Sequence, residues 1–412
     1  MLNDALYQPL AADELLEQFH RSRKYSTDLI SSLSPEDCQA QSMEDASPAK
    51  WHLAHVTWFY ELMLLKPFEE KFAFWNPEFA VLFNSYYNGI GDKHPRSKRG
   101  LLTRPSLAEV LAWRKNIEDR VTELLKEKCS AKLLWLVQLG INHEQQHQEL
   151  LLTDIHHLFS NNSLFPAYVS QSTHGSSTNE SFQWLKGVSG LVDIGYEGDG
   201  FHFDNEVPKH SALNQIHSIG NRLVSNAEWL QFMEDDGYQS FQWWLDEGWS
   251  WLQAEEISTP LYWSKNDQNH HHRFSLHGKS PLDMHAPVSN ISYFEADAFA
   301  RWASQNLTGF AGARLPTEFE WEAFAQSSSQ GSNDIFGKVW QWTSSNYHPY
   351  PSYEPWGGAA GEYNGKFMVN QMVLRGSSAY TPIGHSRTTY RNFFATNARW
   401  QLTGLRLAKD GI

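Results

Sequence analysis

Histidine is the residue type whose spacing in this chain suggests chemistry. Two clusters stand apart among the 19 histidines: WHLAHVTWFYE at residues 51–61 and NHEQQHQELLLTDIHH at residues 142–157. His143 and His147 are four residues apart, so on a helix both imidazoles face the same side, one turn apart. Two such nitrogens can meet one metal ion, and neutral imidazole is a common protein ligand for iron, zinc and copper. The pattern predicts a metal site whose third ligand comes from the first cluster.

The first cluster offers His52 and His55 as candidates for that third ligand, and other interpretations of the histidines stay open. HEQQH also matches H-E-x-x-H, the zinc-protease pattern, in which Glu144 would be the general base. The extension H-x-x-G-x-x-H of one zinc-protease group is missing, and no histidine follows at a suitable distance. A buried histidine pair with hydrogen-bond partners would need no metal at all.

These residues lie in a segment with helical periodicity. Between about residues 10 and 160, apolar residues recur at three- and four-residue spacing, which predicts four long helices packed as an antiparallel bundle. A polar segment at 161–183 is rich in Ser, Asn and Thr and predicts a linker. From there on, short apolar pieces alternate with Gly, Pro, Asn and Asp turns. We therefore predict an α+β protein with a helical domain at 1–160 and a mixed domain at 184–412.

The composition argues against several classes of function. The 412 residues carry a formal net charge of −14, which disfavours nucleic-acid binding and attachment to anionic membranes. Cys38 and Cys129 are too few for a disulfide scaffold and lack a metal-binding spacing. The sequence has no signal-peptide pattern and no run of about 18 apolar residues, so we expect a soluble, cytoplasmic protein. The 18 Trp, 16 Tyr and 24 Phe indicate packing or binding by flat rings.

Three segments together resemble the iron-dependent sulfoxide synthases of ergothioneine biosynthesis, also called hercynine oxygenases. They are ASPAKWHLAHVTWFYE, FNSYYNGIGDKHPRSKRGLLTRPS and HEQQHQELLLTDI. That family joins an N-terminal DinB-like four-helix bundle to a C-terminal domain of the formylglycine-generating-enzyme type, which has a C-type-lectin-like fold. The second half of the chain is similar to that domain in RLPTEFEWEAFA, GKVWQWTSS, VLRGSS and TGLRLA, in the family's order. The resemblance covers nearly the whole chain and implies both folds.

The resemblance implies an iron(II) cofactor held by three histidines. His143 and His147 match the string H-x-x-x-H-x-E, and the third ligand is the second histidine of HLAH, which is His55 rather than His52. Glu149 ends the string and is a candidate for orienting a ligand ring, or else an ordinary helix carboxylate. Both cysteines lie in the helical domain. The C-terminal domain therefore cannot carry out formylglycine chemistry, and we expect it to form one wall of the iron site.

The resemblance also implies the substrates. The family couples a thiol, cysteine or γ-glutamylcysteine, to the imidazole C2 carbon of hercynine (Nα-trimethylhistidine) and produces a sulfoxide. Gln146 matches the position that contacts the imidazole, and Arg96 and Arg99 form a pair suited to a substrate carboxylate. Tyr86 and Tyr87 resemble the branch of the family with a Tyr-Tyr pair in the bundle. There a phenol supplies a proton or hydrogen atom, which directs the reaction to C–S bond formation instead of a sulfinic acid. We expect one tyrosine to reach the iron and the other to support it.

The C-terminal segment TTYRNFFATNARWQLTGLR is the predicted cover of the substrate pocket. A trimethylammonium group cannot donate a hydrogen bond, so an aromatic surface with a polar acceptor should receive it. The segment combines flat and polar side chains, and its candidate binding residues are Arg391, Asn392, Phe393, Phe394 and Trp400.

Several functions stay open at this point. On the same fold, the substrate pair could instead be a selenosugar with hercynine, or histidine with cysteine as in ovothiol synthesis. A non-catalytic, metal-stabilised binding module is a different class, and a zinc peptidase is a remote alternative. We expect small-molecule substrates and O2, with no nucleic-acid or membrane partner. The sequence leaves open the sulfur or selenium donor, which tyrosine acts, and the oligomeric state.

Overall fold

A helical bundle forms the N-terminal part of the computed structural model, which describes residues 10–169, 180–327 and 334–411. Apolar side chains at helical spacing, such as Leu15, Phe19, Val110 and Ile117, are buried in its core. The predicted four-helix bundle is confirmed, with α1, α3, α6 and α7 as its long helices. The helices are α1 (Ala12–Leu29), α2 (Pro35–Gln39), α3 (Ala49–Phe59), α4 (Lys66–Phe68), α5 (Phe79–Leu82), α6 (Leu107–Glu127) and α7 (Ala131–Ser160).

Serine side chains mark the starts of three of these helices. Ser34, Ser106 and Ser130 each accept a hydrogen bond from a backbone N–H in the first turn of α2, α6 and α7, respectively. With 30 residues, α7 is the longest of the four bundle helices and carries the second histidine cluster. Among the described helices, none is both long enough and apolar enough to cross a membrane.

A π-helical segment, Tyr60–Leu65, continues the chain directly after α3. Such segments are rare and occur frequently at functional sites. The ring of Tyr60 packs against α7 at Gly140, where an added Cβ would lie 2.5 Å from the ring. The absence of a side chain at Gly140 therefore lets α3 and α7, which carry the two histidine clusters, approach closely.

Short strands and irregular segments form the C-terminal part, as predicted. One antiparallel sheet has the order β1-β4-β13-β8, and a second has the order β11-β10-β9-β12 with β9 and β12 parallel. A β2-β3 hairpin and a three-stranded β5-β6-β7 sheet complete the strands. The elements are β1 (Trp184–Lys186), β2 (Gly190–Ile194), β3 (His210–Asn214), β4 (His217–Gly220), α8 (Asn226–Glu234), α9 (Asp246–Ala254), β5 (Trp263–Lys265), β6 (His271–Ser275), β7 (Gly278–Pro281), α10 (Tyr293–Asn306), β8 (Ala313–Arg314), α11 (Glu318–Ser327), β9 (Trp340–Asn346), β10 (Met372–Gly376), β11 (Asn392–Phe394), β12 (Thr403–Gly404) and β13 (Ala408–Asp410).

Buried rings fill the core of this C-terminal part. Trp229, Trp321 and Trp342 are almost wholly inaccessible, and Trp229 stacks on Phe299 of α10 at a centroid distance of 4.9 Å. Such rings bury a large apolar area each, which compensates for the small number of residues in regular strands. Much of the excess of tryptophan in the composition is therefore packing material.

The two parts meet along α7. Glu149 of α7 accepts hydrogen bonds from Trp340 Nε1 at 2.7 Å, from Ser378 Oγ at 2.5 Å and from Thr381 Oγ1 at 2.8 Å. The helix ends at Ser160 and β1 begins at Trp184. The predicted linker between them includes residues 170–179, which lie outside the described residues.

Candidate metal centre and substrate cavity

Three buried histidines from two helices of the bundle converge on one point. His55 of α3 and His143 and His147 of α7 each place a potential ligand atom within 4.8 Å of the other two. Their ring centroids are separated by 4.7 to 5.0 Å. The structure thus brings together the three side chains predicted as metal ligands.

Each helix contributes its ligands for a local reason. The four-residue spacing places His143 and His147 on one face of α7, as the sequence predicts. On α3, His55 is held between two indole rings, those of Trp51 at 4.7 Å and Trp58 at 5.3 Å, both nearly parallel to the imidazole. The spacing i−4 and i+3 puts these two rings on either side of His55 along the same helix face.

A backbone hydrogen bond sets the tautomer of His55. Its Nδ1 lies 2.6 Å from the carbonyl oxygen of Phe83. A carbonyl only accepts, so Nδ1 carries the proton and Nε2 carries the lone pair of the neutral ring. Nε2 is buried and has no hydrogen-bond partner among the described residues. An orphaned buried nitrogen aimed at two other imidazoles fits a metal ligand.

A relay of two side chains sets the tautomer of His147. Asp154 accepts from His52 Nε2 at 2.9 Å and from the backbone N–H of Ser47 at 2.8 Å. Since His52 donates to the carboxylate through Nε2, its Nδ1 accepts from His147 Nδ1 at 2.9 Å when both rings are neutral. Nε2 of His147 is then free to bind a metal, whereas both ring nitrogens of His52 are engaged in hydrogen bonds.

Burial keeps the three converging rings neutral. It lowers the pKa of His143 to about 4. It also lowers the pKa values of His55 and His147 well below the ordinary value, and repulsion from His143 adds to this. Neutral imidazole is the form that binds metals, so three such donors fit a transition metal such as iron, zinc or copper.

Glu144, the general base of the zinc-protease alternative, serves a different purpose. It is fully buried and accepts from Arg23 Nη1 at 3.2 Å, from Ser26 Oγ at 2.6 Å and from Arg114 Nη2. Burial favours its neutral form, but Arg114 and Arg23 outweigh that effect and lower its pKa to about 2. Glu144 ties α1, α6 and α7 together and is engaged by two cations, which does not suit a general base.

Two adjoining cavities lie between the bundle and the C-terminal part, and the smaller one reaches His143. The smaller, of about 20 Å³, is lined by His143, Tyr87 and Trp356 among others. That volume holds about one water-sized molecule. The larger cavity, of about 200 Å³, is lined by residues of both domains. Four residues line both cavities and connect them: Gln146, Phe203, Tyr363 and Asn364.

The adjacent tyrosines Tyr86 and Tyr87 point into different cavities. Tyr87 is buried, lines the small cavity and contacts Trp58 at a centroid distance of 5.4 Å. Its hydroxyl has no hydrogen-bond partner in the part of the chain that the structure describes, and burial raises its pKa well above 10. Tyr86 lines the large cavity, and its hydroxyl accepts from Arg96 Nη1 at 3.4 Å.

The predicted arginine pair is separated. Arg96 lines the large cavity and is partly exposed. Arg99 does not line it, because its guanidinium stacks 3.4 Å from the ring centre of Trp51 and donates to Ser47 and Ser85. Burial lowers the pKa of Arg99 to about 9. Arg99 thus packs behind the histidines, and the structure does not support its predicted contact with a substrate carboxylate.

The other predicted substrate contacts largely fall on the large cavity. Gln146 lines it and donates from Nε2 to the hydroxyl of Tyr390 at 2.8 Å. Arg391 also lines it, but its guanidinium is engaged by Glu318 at 2.9 and 3.0 Å and cannot freely bind an anion. Trp400 lies outside the lining and contacts Phe394 at 6.5 Å. The remaining predicted residues in the lining are Asn392, Phe393 and Phe394.

Several residues of the site were missed from the sequence. Asp154 is seven residues after His147, two helical turns along the same face, so its spacing could have suggested a role near the histidines. Tyr390 lies in the segment predicted to cover the pocket but was not among its named candidates, and Tyr363 had no signal in the sequence. Glu149, considered as a ring-orienting acceptor, instead binds that domain.

Two family models match the chain. The sulfatase-modifying factor enzyme 1-like domain matches residues 175–332 and 323–411, which is more than half of the chain. The DinB superfamily model matches residues 18–151. The matches cover the C-terminal part and the helical bundle, respectively.

Curated relatives share both parts. Hercynine oxygenase of Mycolicibacterium thermoresistibile is 26% identical over 424 aligned residues, covering 88% of this chain and 87% of its own. Hercynine oxygenase of Mycobacterium tuberculosis is 26% identical, covering 88% of this chain and 91% of its own. Ergothioneine biosynthesis protein 1 of Schizosaccharomyces pombe is 27% identical over 51% of this chain and 28% of its own length.

Proposed function

The chain belongs to the hercynine oxygenase family, and from this premise we propose that it is a nonhaem iron(II), O2-dependent sulfoxide synthase. The reaction joins C2 of hercynine to the sulfur of cysteine or γ-glutamylcysteine, as a step of ergothioneine biosynthesis. The single observation that carries the proposal is the buried group of three neutral histidines, one of which, His143, lines a small cavity that residues of both domains enclose.

The overall reaction balances with O2 as the sole oxidant. Hercynine loses its C2 hydrogen and the thiol loses its S–H hydrogen as the C–S bond forms. One oxygen atom of O2 is added to sulfur, which gives the sulfoxide, and the other leaves as water with the two hydrogens. The competing reaction, thiol dioxygenation, adds both oxygen atoms to sulfur and gives a sulfinic acid. The enzyme must therefore favour the first outcome over the second.

In this proposal His55, His143 and His147 hold the iron. Iron(II) bound there supplies the one-electron chemistry that O2 activation requires. His52 and Asp154 orient His147, the Phe83 carbonyl orients His55, and the indoles of Trp51 and Trp58 fix the plane of His55. These contacts pre-organise the donors before any metal binds.

Tyr87 is the proposed catalytic phenol. It lines the same small cavity as His143, and its phenol is protonated at neutral pH, with burial raising its pKa further above the ordinary value of 10. A phenol whose O–H is not already donated to a protein acceptor can supply a proton or hydrogen atom to the reaction. Tyr86 supports it from the large cavity, next to Arg96.

The large cavity offers complementary groups for the substrates. Gln146 uses its amide N–H on Tyr390, which leaves its carbonyl oxygen to accept from the imidazole of hercynine. Aromatic rings of Phe367 and Phe393 line the cavity and suit a quaternary ammonium. The guanidinium of Arg96 lies 3.9 Å from the carboxylate of Asp45, too far for a hydrogen bond to it, and lines the cavity. It therefore suits a substrate carboxylate.

Anaerobic reconstitution with iron(II), followed by O2 uptake and product mass spectrometry, tests the proposal. We expect hercynine-dependent O2 uptake and a sulfoxide product with one or more donors from a panel of cysteine, γ-glutamylcysteine and a selenosugar. His55→Ala, loaded in the same way, is the matched inactive control. Absence of O2 uptake with every donor in the presence of hercynine would contradict the proposal and favour a binding module.

A further inference from the structure

The loop that carries the two tyrosines, residues 84–92, is held partly from within the bundle. Asn84 is fully buried, and its Nδ2 lies within 2.9 to 3.2 Å of the carbonyl oxygens of Tyr87, Gly91 and Asp92. Its Oδ1 accepts from the N–H of Tyr87 at 3.2 Å. These bonds close the loop on itself, but they do not fix the backbone immediately beyond the tyrosines.

The C-terminal domain completes the hold on this loop. The carboxylate of Glu362 accepts from two successive backbone N–H groups, from Asn88 at 2.8 Å through Oε2 and from Gly89 at 2.9 Å through Oε1. The ammonium of Lys366 donates to the carbonyl oxygen of Tyr86. Three backbone groups on either side of Tyr87, those of Tyr86, Asn88 and Gly89, are thus bound by a carboxylate and an ammonium of the other domain.

The carboxylate approaches the backbone closely at Gly89. A Cβ added at Gly89 would lie 2.7 Å from Oε1 of Glu362, so a side chain there would push the carboxylate away. Charge-assisted hydrogen bonds to backbone N–H groups are about twice as strong as neutral ones. A two-pronged carboxylate contact of this kind fixes both the distance and the orientation of the loop.

We propose that Glu362 is a positioning residue that sets the place of the Tyr87 hydroxyl beside His143, with Lys366 fixing the Tyr86 side of the same loop. The inference rests on the proposed function, since it assigns the partition between sulfoxide and sulfinic acid to this contact between domains. Glu362 itself lines neither cavity, and its hydrogen bonds to the bundle are those to the loop.

The electrostatics of the loop agree with this assignment. The pKa of Tyr87 is raised first by burial and then by the nearby charge of Glu362, so the same carboxylate that holds the loop also helps to keep the phenol protonated. The ammonium of Lys366 lies 5.7 Å from the centre of the Tyr86 ring, so this cation acts on Tyr86, the neighbour of Tyr87.

Hydrogen exchange on the full chain tests the contact directly. The amides of Asn88 and Gly89 donate to Glu362, so Glu362→Ala should speed their exchange about tenfold, the effect of losing a charge-assisted bond of ~1.4 kcal/mol or more. Glu362→Gln, which keeps one accepting oxygen, should give an intermediate rate. Glu354→Ala is the matched control, because this exposed carboxylate on the preceding loop forms no hydrogen bond with residues 84–92 within the described part of the chain. Unchanged exchange in Glu362→Ala would overturn the contact.

Product analysis tests the positioning role. In iron-loaded Glu362→Ala, the ratio of sulfoxide to sulfinic acid should fall roughly tenfold to a hundredfold, since a displacement of about 1 Å suffices for such losses. Iron content should remain that of the wild-type protein. The product ratio of Glu362→Gln should lie between those of the wild-type protein and Glu362→Ala. Lys366→Met should shift the ratio in the same direction by a smaller factor. Faster exchange with an unchanged product ratio would overturn the positioning role.

Hydrogen exchange and product analysis together separate a failure of this inference from a failure of the proposed function. If the wild-type protein makes no sulfoxide with any donor, the proposed function and the positioning role both fail, while the exchange rates still decide whether Glu362 holds the loop. If the wild-type protein makes sulfoxide and Glu362→Ala makes it in the same ratio, only the inference fails.

Discussion

Four histidines lie at the site, and they differ in the hydrogen bonds that their ring nitrogens make. His55 donates to a carbonyl, His147 donates to His52, and His52 donates to Asp154. Neither nitrogen of His143 has a partner among the described residues. A single residue type can therefore serve as ligand or as support, and the hydrogen bonds decide which.

Removal of single histidines should separate ligands from supports. We expect His55→Ala and His143→Ala to abolish stoichiometric iron binding, because each removes a donor from the group of three. His52→Ala should keep the stoichiometry at saturating iron but weaken the affinity roughly tenfold to a hundredfold, as loss of an orienting partner does. Iron titration with metal analysis measures both quantities.

His157→Ala is the matched control, since this residue lies on α7, its Nδ1 bonds to Ser42 Oγ, its ring packs against Tyr262, and it is not one of the converging histidines. Stoichiometric iron in His55→Ala, or none in His52→Ala at saturation, would contradict the ligand assignment.

The two tyrosines should differ in what their hydroxyls control. Tyr87→Phe removes the hydroxyl beside His143, so the product should shift towards cysteine sulfinic acid by about a hundredfold or more, the size of a typical proton-transfer contribution. Tyr86→Phe removes the hydroxyl that accepts from Arg96. Because Arg96 is proposed to bind the substrate carboxylate, this change should mainly raise the KM for the thiol. Liquid chromatography of products at several thiol concentrations distinguishes the two, and a product ratio unchanged in Tyr87→Phe would contradict its role.

For single residues, the sequence predicts which side chains share a helix face, but it does not predict where a side chain in a loop or short turn points. Four-residue spacing on α7 suffices to pair His143 with His147, because both belong to one rigid helix. Arg96 and Arg99 lie three residues apart in a 3-10 turn, Arg96–Leu101, yet one faces the cavity and the other stacks on Trp51. That difference arises from contacts with α3, which no local pattern contains.

At the scale of elements, α7 serves three purposes on different faces. One face presents His143 and His147 to α3, and another presents Glu144 to Arg23 of α1 and Arg114 of α6. Glu149 faces the C-terminal domain. The helix that carries the ligands is therefore fixed on several sides, which keeps two of the three donors in place relative to the bundle.

The ion network around Glu144 should make the bundle sensitive to acid. Its pKa is about 2 in the folded protein against an ordinary 4.5, so its contribution of roughly 3 kcal/mol is present above pH 4.5 and is lost as pH falls towards 2. Glu144→Gln removes this titration and leaves two buried guanidinium groups without their anion, which should cost about 3–5 kcal/mol at neutral pH.

Urea unfolding at pH 6 and pH 3 measures this effect. The difference in unfolding free energy between the wild-type protein and Glu144→Gln should shrink by about 2 kcal/mol between these pH values. Glu127→Gln, at an exposed position at the end of α6, serves as the control. A difference that does not change with pH would contradict the role of Glu144.

At the scale of the whole molecule, the site exists only when the domains are docked. The ligands lie in the bundle, whereas Tyr363, Phe393 and Tyr390 of the cavity lining lie in the C-terminal domain. Glu149 is the centre of this junction, with three donors from the other domain. Burial raises its pKa in spite of these bonds.

Glu149→Ala should weaken the junction. It leaves Trp340 Nε1 and two hydroxyls without their acceptor, and an unsatisfied buried donor costs about 1–3 kcal/mol. We expect a lower unfolding free energy of the full chain by this amount or more, together with a raised KM for both substrates, at unchanged iron stoichiometry. Urea unfolding and steady-state kinetics measure these, with Glu127→Ala as the control. Equal stability of the two variants would contradict the role of Glu149.

The fold could be predicted from the sequence to different extents in its two halves. Helical periodicity predicts the bundle, because each long helix buries one regular face. The C-terminal strands are two to seven residues long and pair across large sequence separations, such as β4 with β13. Local patterns do not contain such pairing, so only the motif order RLPTEFEWEAFA, GKVWQWTSS, VLRGSS and TGLRLA indicated that architecture. The contact of Glu362 with the bundle follows from docking and had no sequence signal, whereas Tyr390 lies in the segment predicted to cover the pocket.

The division of the site between two domains has a consequence for how new specificities can arise. All three metal donors lie on α3 and α7, while Phe367, Phe393 and the 392–394 strand come from the C-terminal domain. Substitutions in that domain can reshape the substrate-facing wall without altering the donors. Under the proposed function, mutation of that domain, in evolution or in a directed library, can thus change which substrates are accepted while the three histidines stay unchanged.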